Sequence, residues 1–196
     1  MKFRLIKVVA LFVTLVAAAS CSKERGNTWN EATKTFEMPA YNLEWNLSGI
    51  DGLIIPEQDR QPSDKLFMAG AGEMTIGLIS FEDANHVFNV DNAENFVNTI
   101  LPAEFLKVGL SVDSKNPVET WKSEYLSREA INFAAKVHMT VVGDESAPLF
   151  GGGYIFSMDG RVFISFVLAP PYFLKQHGDA PLNSMLNRLT YIEASR

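Results

Sequence analysis

The stretch YIFSMDGRVFISFVLA, residues 154–169, decides the fold class. Tyr154, Phe156 and Met158 open a strand that turns at Asp159-Gly160. That dipeptide is favoured where both central residues of a tight hairpin need positive φ. The return strand, Arg161 to Ala169, is apolar at nearly every position. Alternation would mark a strand with one wet face; a continuous apolar run predicts a central strand covered on both. Pro170 and Pro171 stop it, because proline cannot donate to a ladder.

Working outward, Phe133, Ala135, Val137, Met139 and Val141 alternate with smaller or polar residues. This period of two predicts a strand over Asn132 to Val142, with Gly143 to Pro148 as a loop. After the hairpin, Asp179 and Pro181 begin a closing helix, in which Leu182, Met185, Leu186, Leu189 and Ile192 share one stripe. Towards the N-terminus, Tyr41, Leu43, Trp45 and Leu47 alternate as a strand, and Leu53 to Ile55 is a short apolar run. Pro56 to Asp64 is polar and proline-bearing, an exposed loop. Leu66 to Ala69 and Met74 to Phe81 form a strand pair. Asp91 and Glu94 sit like a capping pair before Ala93, Phe96, Val97, Ile100 and Leu101 at helical spacing, with Pro102 ending that helix. Glu104 to Val112 fits a helical turn or a strand. Asn116-Pro117 marks a turn, and Val118 to Tyr125 reads as a short helix. Strands, a helix, long antiparallel strands and a closing helix predict an α+β domain, an antiparallel sheet with helices packed against it.

The N-terminal segment is of another kind. Lys2, Arg4 and Lys7 precede an uncharged apolar run from Val8 to Ala19, and Ala18, Ala19 and Ser20 stand before Cys21, the sole cysteine. The run is short for a membrane span and has the length of a secretory h-region. This arrangement resembles the signal peptide and lipobox of bacterial lipoproteins, with Ala18 where the family more often has Leu. The resemblance implies cleavage before Cys21 and acylation of its sulfur and new amino group, which anchors the chain to a lipid bilayer. In enterobacteria-like sorting Ser22, in place of Asp, implies export to the outer membrane, facing the periplasm; the charged tract Lys23, Glu24 and Arg25 leaves display at the cell surface open. The expected organisation is a signal peptide (1–20), a polar tether (21–35) and a single α+β domain (36–196).

The order of elements over the last sixty or so residues is similar to the C-terminal half of the Mog1/PsbP-like fold. One branch of that superfamily consists of small bacterial lipoproteins of the DcrB type. The strand from Tyr41 and the pair around Met74 to Phe81 fit its N-terminal half. The resemblance implies an accessory or binding role rather than catalysis, although fold by itself does not set function.

The net charge is −6, and more negative once the basic leader residues are removed. No basic cluster exists, so nucleic acid and anionic headgroups are not expected partners. Neither a metal nor any other cofactor is expected: His86, His138 and His177 are far apart in sequence and show no ligand spacing. Asn89 and Asp91 start like a calcium loop, but Glu94 and Ile100 stand where the turn glycine and bidentate glutamate belong. The chain has no G-x-S-x-G elbow; Ser157 and Ser165 lie among bulky apolar residues. Gly151-Gly152-Gly153 leads into a strand rather than a helix, which is a flexible hairpin entry and not a phosphate cradle. Glu82-Asp83 and Asp144-Glu145 are adjacent loop carboxylates, and Asn46-Leu47-Ser48 is a structural strand segment.

Two features invite a binding reading. His138 stands on the polar side of its strand between Lys136 and Thr140, and Tyr172 with Phe173 follows the proline pair as a potential exposed aromatic patch. The expectation is therefore a non-enzymatic, lipid-anchored envelope protein whose domain binds an envelope protein or component. The alternatives are an envelope hydrolase assembled from distant residues, including His138, and a carrier of a small apolar ligand.

Overall fold

The structure, a computed structural model, describes residues 27–55, 66–84, 86–141 and 144–192. Cys21, the leader and the whole Pro56–Asp64 loop lie outside them. The strands are β1 (Thr28–Asn30), β2 (Thr35–Met38), β3 (Leu43–Asn46), β4 (Leu53–Ile54), β5 (Leu66–Ala71) and β6 (Met74–Glu82). Helix α1 (Ala93–Lys107) follows, then β7 (Leu110–Val112), β8 (Glu119–Tyr125), β9 (Arg128–Val141), β10 (Asp144–Met158) and β11 (Arg161–Ala169). Two short helices, α2 (Pro171–His177) and α3 (Ala180–Leu186), lead to β12 (Leu189–Tyr191).

The expected α+β architecture is what forms. An antiparallel sheet runs β4-β5-β6-β11-β10-β9-β7, with β8 also on β9, and a smaller sheet runs β1-β2-β3-β12. β11 is indeed central, paired with β10 on one side and β6 on the other. Its hairpin turns at Asp159 (φ 51°) and Gly160 (φ 73°), the two positive values that the dipeptide predicts. Phe163, Val167 and Ala169 point into one core, and Val162, Ile164, Phe166 and Leu168 into the other. That explains an apolar run without alternation.

The two cores lie on opposite faces of the large sheet. On one face α1 inserts Phe96, Val97, Leu101 and Phe105 among Ile131, Phe133 and Phe166. On the other, the small sheet contributes Phe36, Leu43 and Trp45, and α3 contributes Leu182, Met185 and Leu186. Trp45 joins these last two elements: its buried indole N–H donates to the Met185 carbonyl at 3.0 Å. Phe36 stacks on Phe67 of β5, ring centres 4.3 Å apart, which seats the small sheet on the large one.

Several local expectations are corrected. Pro102 does not end α1, which continues to Lys107. The helix continues because Leu101 and Phe105 are buried on either side of the proline, and that burial outweighs the loss of one backbone donor. Asp91 is not the cap. Asn89 accepts the Asp91 amide at 2.8 Å and caps a short 3-10 turn, while the Asp91 carboxylate pairs with Lys122 of β8. Val118 to Tyr125 is not helical but supplies strand β8, hydrogen-bonded along β9 from Tyr125↔Arg128 to Glu119↔Ala134. Asp144 to Pro148 belongs to β10, with a register shift between Glu145 and Pro148, rather than to a loop. The closing helix stops at Leu186, because Leu189 to Tyr191 pair with β3 as a strand. Thr28–Asn30 also pairs with β2, so ordered structure begins inside the segment read as tether. The proline pair is followed by a helical turn, α2, and not by a loop.

Candidate functional site

The small sheet and the α2–α3 segment cover only part of their face of the large sheet. The stretch they leave open, over β8, β9 and β10, is a groove of about 470 Å³. Its floor is built from Asn132 and Ala134 on β9 and from Gly151 to Gly153 on β10. One wall is β8, with Glu119 and Trp121, and behind it the turn residues Asn116 and Pro117. The opposite wall is α2 and α3, with Leu174, Asp179, Leu182, Asn183 and Leu186. Lys136 and Phe150, cross-strand partners, close one end.

The glycines make the floor. The triad lies within β10, paired with β9 and β11 on either side, and is not the flexible hairpin entry read from sequence. A Cβ on Gly151 would stand 2.0 Å from the Val167 carbonyl oxygen, one on Gly152 2.0 Å from that of Phe133, and one on Gly153 1.8 Å from that of Ser165. No side chain fits there, so the requirement is steric. Three consecutive residues without side chains leave a shallow, bare strip across the middle of a sheet. Ala134, opposite Gly152, extends it.

Trp121 overlooks this strip. It shares with Glu119 and Ser123 the face of β8 that turns away from α1, and 48% of it is exposed. A tryptophan in that position exposes a large apolar surface with one polar edge. The sequence reading missed it, because a helical β8 gives Trp121 no defined neighbour. The available signal was the alternation Glu119, Trp121, Ser123, Tyr125.

Tyr125 fixes the end of the groove opposite Lys136. Its ring stacks on Tyr154, centres 4.1 Å apart, and its hydroxyl donates to the Leu186 carbonyl at the end of α3. Burial, above all, pushes this hydroxyl well above the usual tyrosine range. The bond spans the sheet face and ties the β8 wall to the α3 wall.

At the Lys136 end stands a charged cluster organised by Asp113, which is 10% exposed. Its carboxylate accepts from Lys136 Nζ at 2.9 Å, from the Lys115 amide at 2.9 Å and from Asn116 Nδ2 at 2.8 Å. The Lys136 bond, first, and these other donors hold the Asp113 carboxyl well below the usual carboxylate range. His138 is next along β9, with Nε2 3.7 Å from the same Asp113 oxygen. Ser111 is its cross-strand partner. The Ser111 hydroxyl, however, faces the His138 carbonyl oxygen at 3.4 Å, and Asp113 is engaged by Lys136. The nucleophile–base hydrogen bond that acyl-transfer chemistry uses is not formed in this arrangement. Among the described residues, no group of His, Cys, Asp and Glu is placed to hold a metal ion.

The three binding candidates read from sequence do not come together. His138 sits beyond Lys136, outside the groove lining. Tyr172 is 58% exposed at the start of α2. Local desolvation and then the neighbouring Glu73 carboxylate push its hydroxyl up. Phe173 turns inward against the core, its ring 4.7 Å from that of His177. The aromatic that faces the groove is Trp121, and from the α2 helix it is Leu174 that reaches it.

Comparison with known proteins finds solved structures similar to this chain. The chain is similar to the Ran-binding protein Mog1p of Saccharomyces cerevisiae, with 10% identity, a TM-score of 0.48, and coverage of 82% of this chain and 95% of that one. It is similar to cyanobacterial PsbP of Synechocystis sp. PCC 6803, with 11% identity, a TM-score of 0.46, and coverage of 80% and 91%. These are proteins of the two kinds named in the resemblance read from sequence. No protein-family model matches the sequence, and no curated protein matches it significantly. The site is therefore read from this chain's own residues.

Proposed function

We propose that this chain is a lipid-anchored protein of the bacterial cell envelope whose folded domain is a non-catalytic binding module working through the groove between β8 and α3. The anchor rests on the leader that ends at Cys21. The binding role rests on one observation: a glycine-floored groove on a half-covered sheet face, with Trp121 exposed at its rim. Keeping a tryptophan surface in water forgoes about 25 cal/mol for every Å² left uncovered, which a bound partner recovers. The open form of the groove favours this reading over a carrier of a small apolar ligand, which needs an enclosed site.

The anchor is tested by metabolic labelling with a palmitate analogue. Label on the wild type and none on Cys21→Ser is the expected result; equal label on both refutes acylation at Cys21. The binding surface is tested by replacing Trp121 with a photoreactive amino acid in cells, with Asp159 in the β10–β11 turn as the control position. Cross-linked adducts at 121 and not at 159 are expected. Equal yields at both positions would remove the groove as the working surface.

A further inference from the structure

We infer that the groove between Trp121 and α3 binds a saccharide chain, its sugar rings laid on the Trp121 indole and their hydroxyls held by the amides and carboxylates of the rim. This rests on the binding-module reading and names the ligand class for the same groove.

The floor sets the first condition. Gly151 to Gly153, paired with β9 and β11, and Asn132 to Ala134, paired with β10 and β8, are mid-sheet residues. Their backbone donors and acceptors are consumed by the ladder, so an extended peptide lying on this floor has no free edge to join. An occupant must therefore find its hydrogen bonds in side chains. Those on offer are planar and short: the side-chain oxygen of Asn132 on the floor, whose Nδ2 donates to the Gly153 carbonyl at 3.4 Å, Glu119 on one wall, and Asp179 and Asn183 on the other. Planar amides and carboxylates present paired donor and acceptor positions, the geometry that adjacent hydroxyls on a sugar ring match.

Apolar contact sets the second condition. A pyranose has one face of C–H bonds, and the indole face carries the negative side of its quadrupole. Trp121 is half-exposed above a strip bare of side chains, so a flat ring can slide against it. Leu174, Leu182 and Leu186 give the opposite wall its apolar part.

Charge excludes the competitors. Among the described residues the one cation of the lining, Lys136, is bound to Asp113 at 2.9 Å and lies 5.7 Å from the Phe150 ring. Glu119 and Asp179 then leave the groove negative, which disfavours phosphates, nucleotides and anionic lipids. A neutral polyhydroxyl chain meets none of that repulsion.

The experiment is a calorimetric and tryptophan-fluorescence titration of the full-length protein in detergent with cellotetraose and with chitotetraose. The two separate plain hydroxyl recognition from recognition of N-acetylated sugars. Saturable binding of at least one is expected. Trp121→Ala should weaken it roughly tenfold or more, Asn183→Ala severalfold, and Trp121→Phe less than Trp121→Ala. Absence of saturable binding of both sugars at millimolar concentration overturns the inference, as does binding unchanged in Trp121→Ala. A protein adduct at position 121 in cells, with no sugar bound in vitro, overturns it while leaving the binding-module reading in place. No adduct and no sugar removes both.

Discussion

At the scale of single residues, the glycine triad carries the most information. Its three positions are forbidden to any side chain by neighbouring carbonyl oxygens at 2.0 Å or less. Gly152→Ala must push β9 and β10 apart, and a cost of about 2–4 kcal/mol is expected in urea unfolding. Gly160→Ala is the internal comparison. Gly160 has φ 73° but open space around its Cβ position, so it should cost only about 1 kcal/mol, the conformational term alone. Equal costs at both positions would show that the strands yield easily and that the triad is not sterically required. Asp113 makes a second residue-scale case. Its folded pKa lies below the ordinary value of 3.8, so the folded state binds the carboxylate form preferentially. The stabilisation is complete above that ordinary value and is lost as pH falls through the folded one. Asp113→Asn should lower the urea midpoint at neutral pH and flatten its decline under acid. A wild-type slope that survives the substitution would place the acid sensitivity elsewhere. The sequence displays both residues but not these roles: a Gly-Gly-Gly run looks alike whether it is a loose turn or a strand pressed between two others, and Asp113 meets Lys136 only across the sheet.

At the scale of elements, legibility followed the strength of the local pattern. The β10–β11 hairpin was readable because Asp159-Gly160 is a turn dipeptide and the return strand has no polar interruption. The β8–β9 hairpin was not. Its turn is Leu126-Ser127, with φ 53° and 57°, positive values on residues that disfavour them. Without a glycine or asparagine the turn gives no signal. Val118, Trp121 and Tyr125 also fall at helical spacing as readily as Trp121 and Tyr125 fall on one strand face. That single misreading hid the groove, because Trp121 is its wall. The strain predicts that Ser127→Gly stabilises the fold by about 1 kcal/mol, read as a rise in the thermal midpoint. A fall would mean that the Ser127 side chain has contacts worth more than the strain. In α1 the sequence reading gave Pro102 too much weight. A proline inside a helix costs about 3 kcal/mol relative to alanine in isolation, but Phe96, Val97, Leu101 and Phe105 bury one continuous face across it. Pro102→Ala should therefore raise stability, and unchanged or lowered stability would show that the core is fitted to a bend at this point.

At the scale of the whole molecule, the determining fact is an incomplete cover. One face of the large sheet is closed by α1; the other is shared by the small sheet and α2–α3, which stop short of β8. The α+β class was legible because it follows from element order. The vacancy was not, because it depends on how far two short helices and a four-stranded sheet extend over a face whose width no local pattern encodes. Tyr125 bridges the vacancy at one end. It belongs to β8, stacks on Tyr154 of β10, and bonds the last carbonyl of α3. It therefore couples the edge strand to the C-terminal segment 61 residues away. The coupling carries a pH signature. Burial raises the folded pKa of Tyr125 above its unfolded value near 10, so its contribution is complete below pH 10 and is lost as pH rises further. Ultraviolet titration should find one tyrosine that ionises only when the protein unfolds. Tyr125→Phe removes that phase and leaves the Leu186 carbonyl without its partner, at a cost of about 1–3 kcal/mol. It should also free α3 to move relative to β8, seen as faster amide hydrogen exchange in residues 180–191 than in the β10–β11 hairpin. Exchange that accelerates uniformly instead would mean that Tyr125 supports global stability only, and that the two walls of the groove are not joined through it.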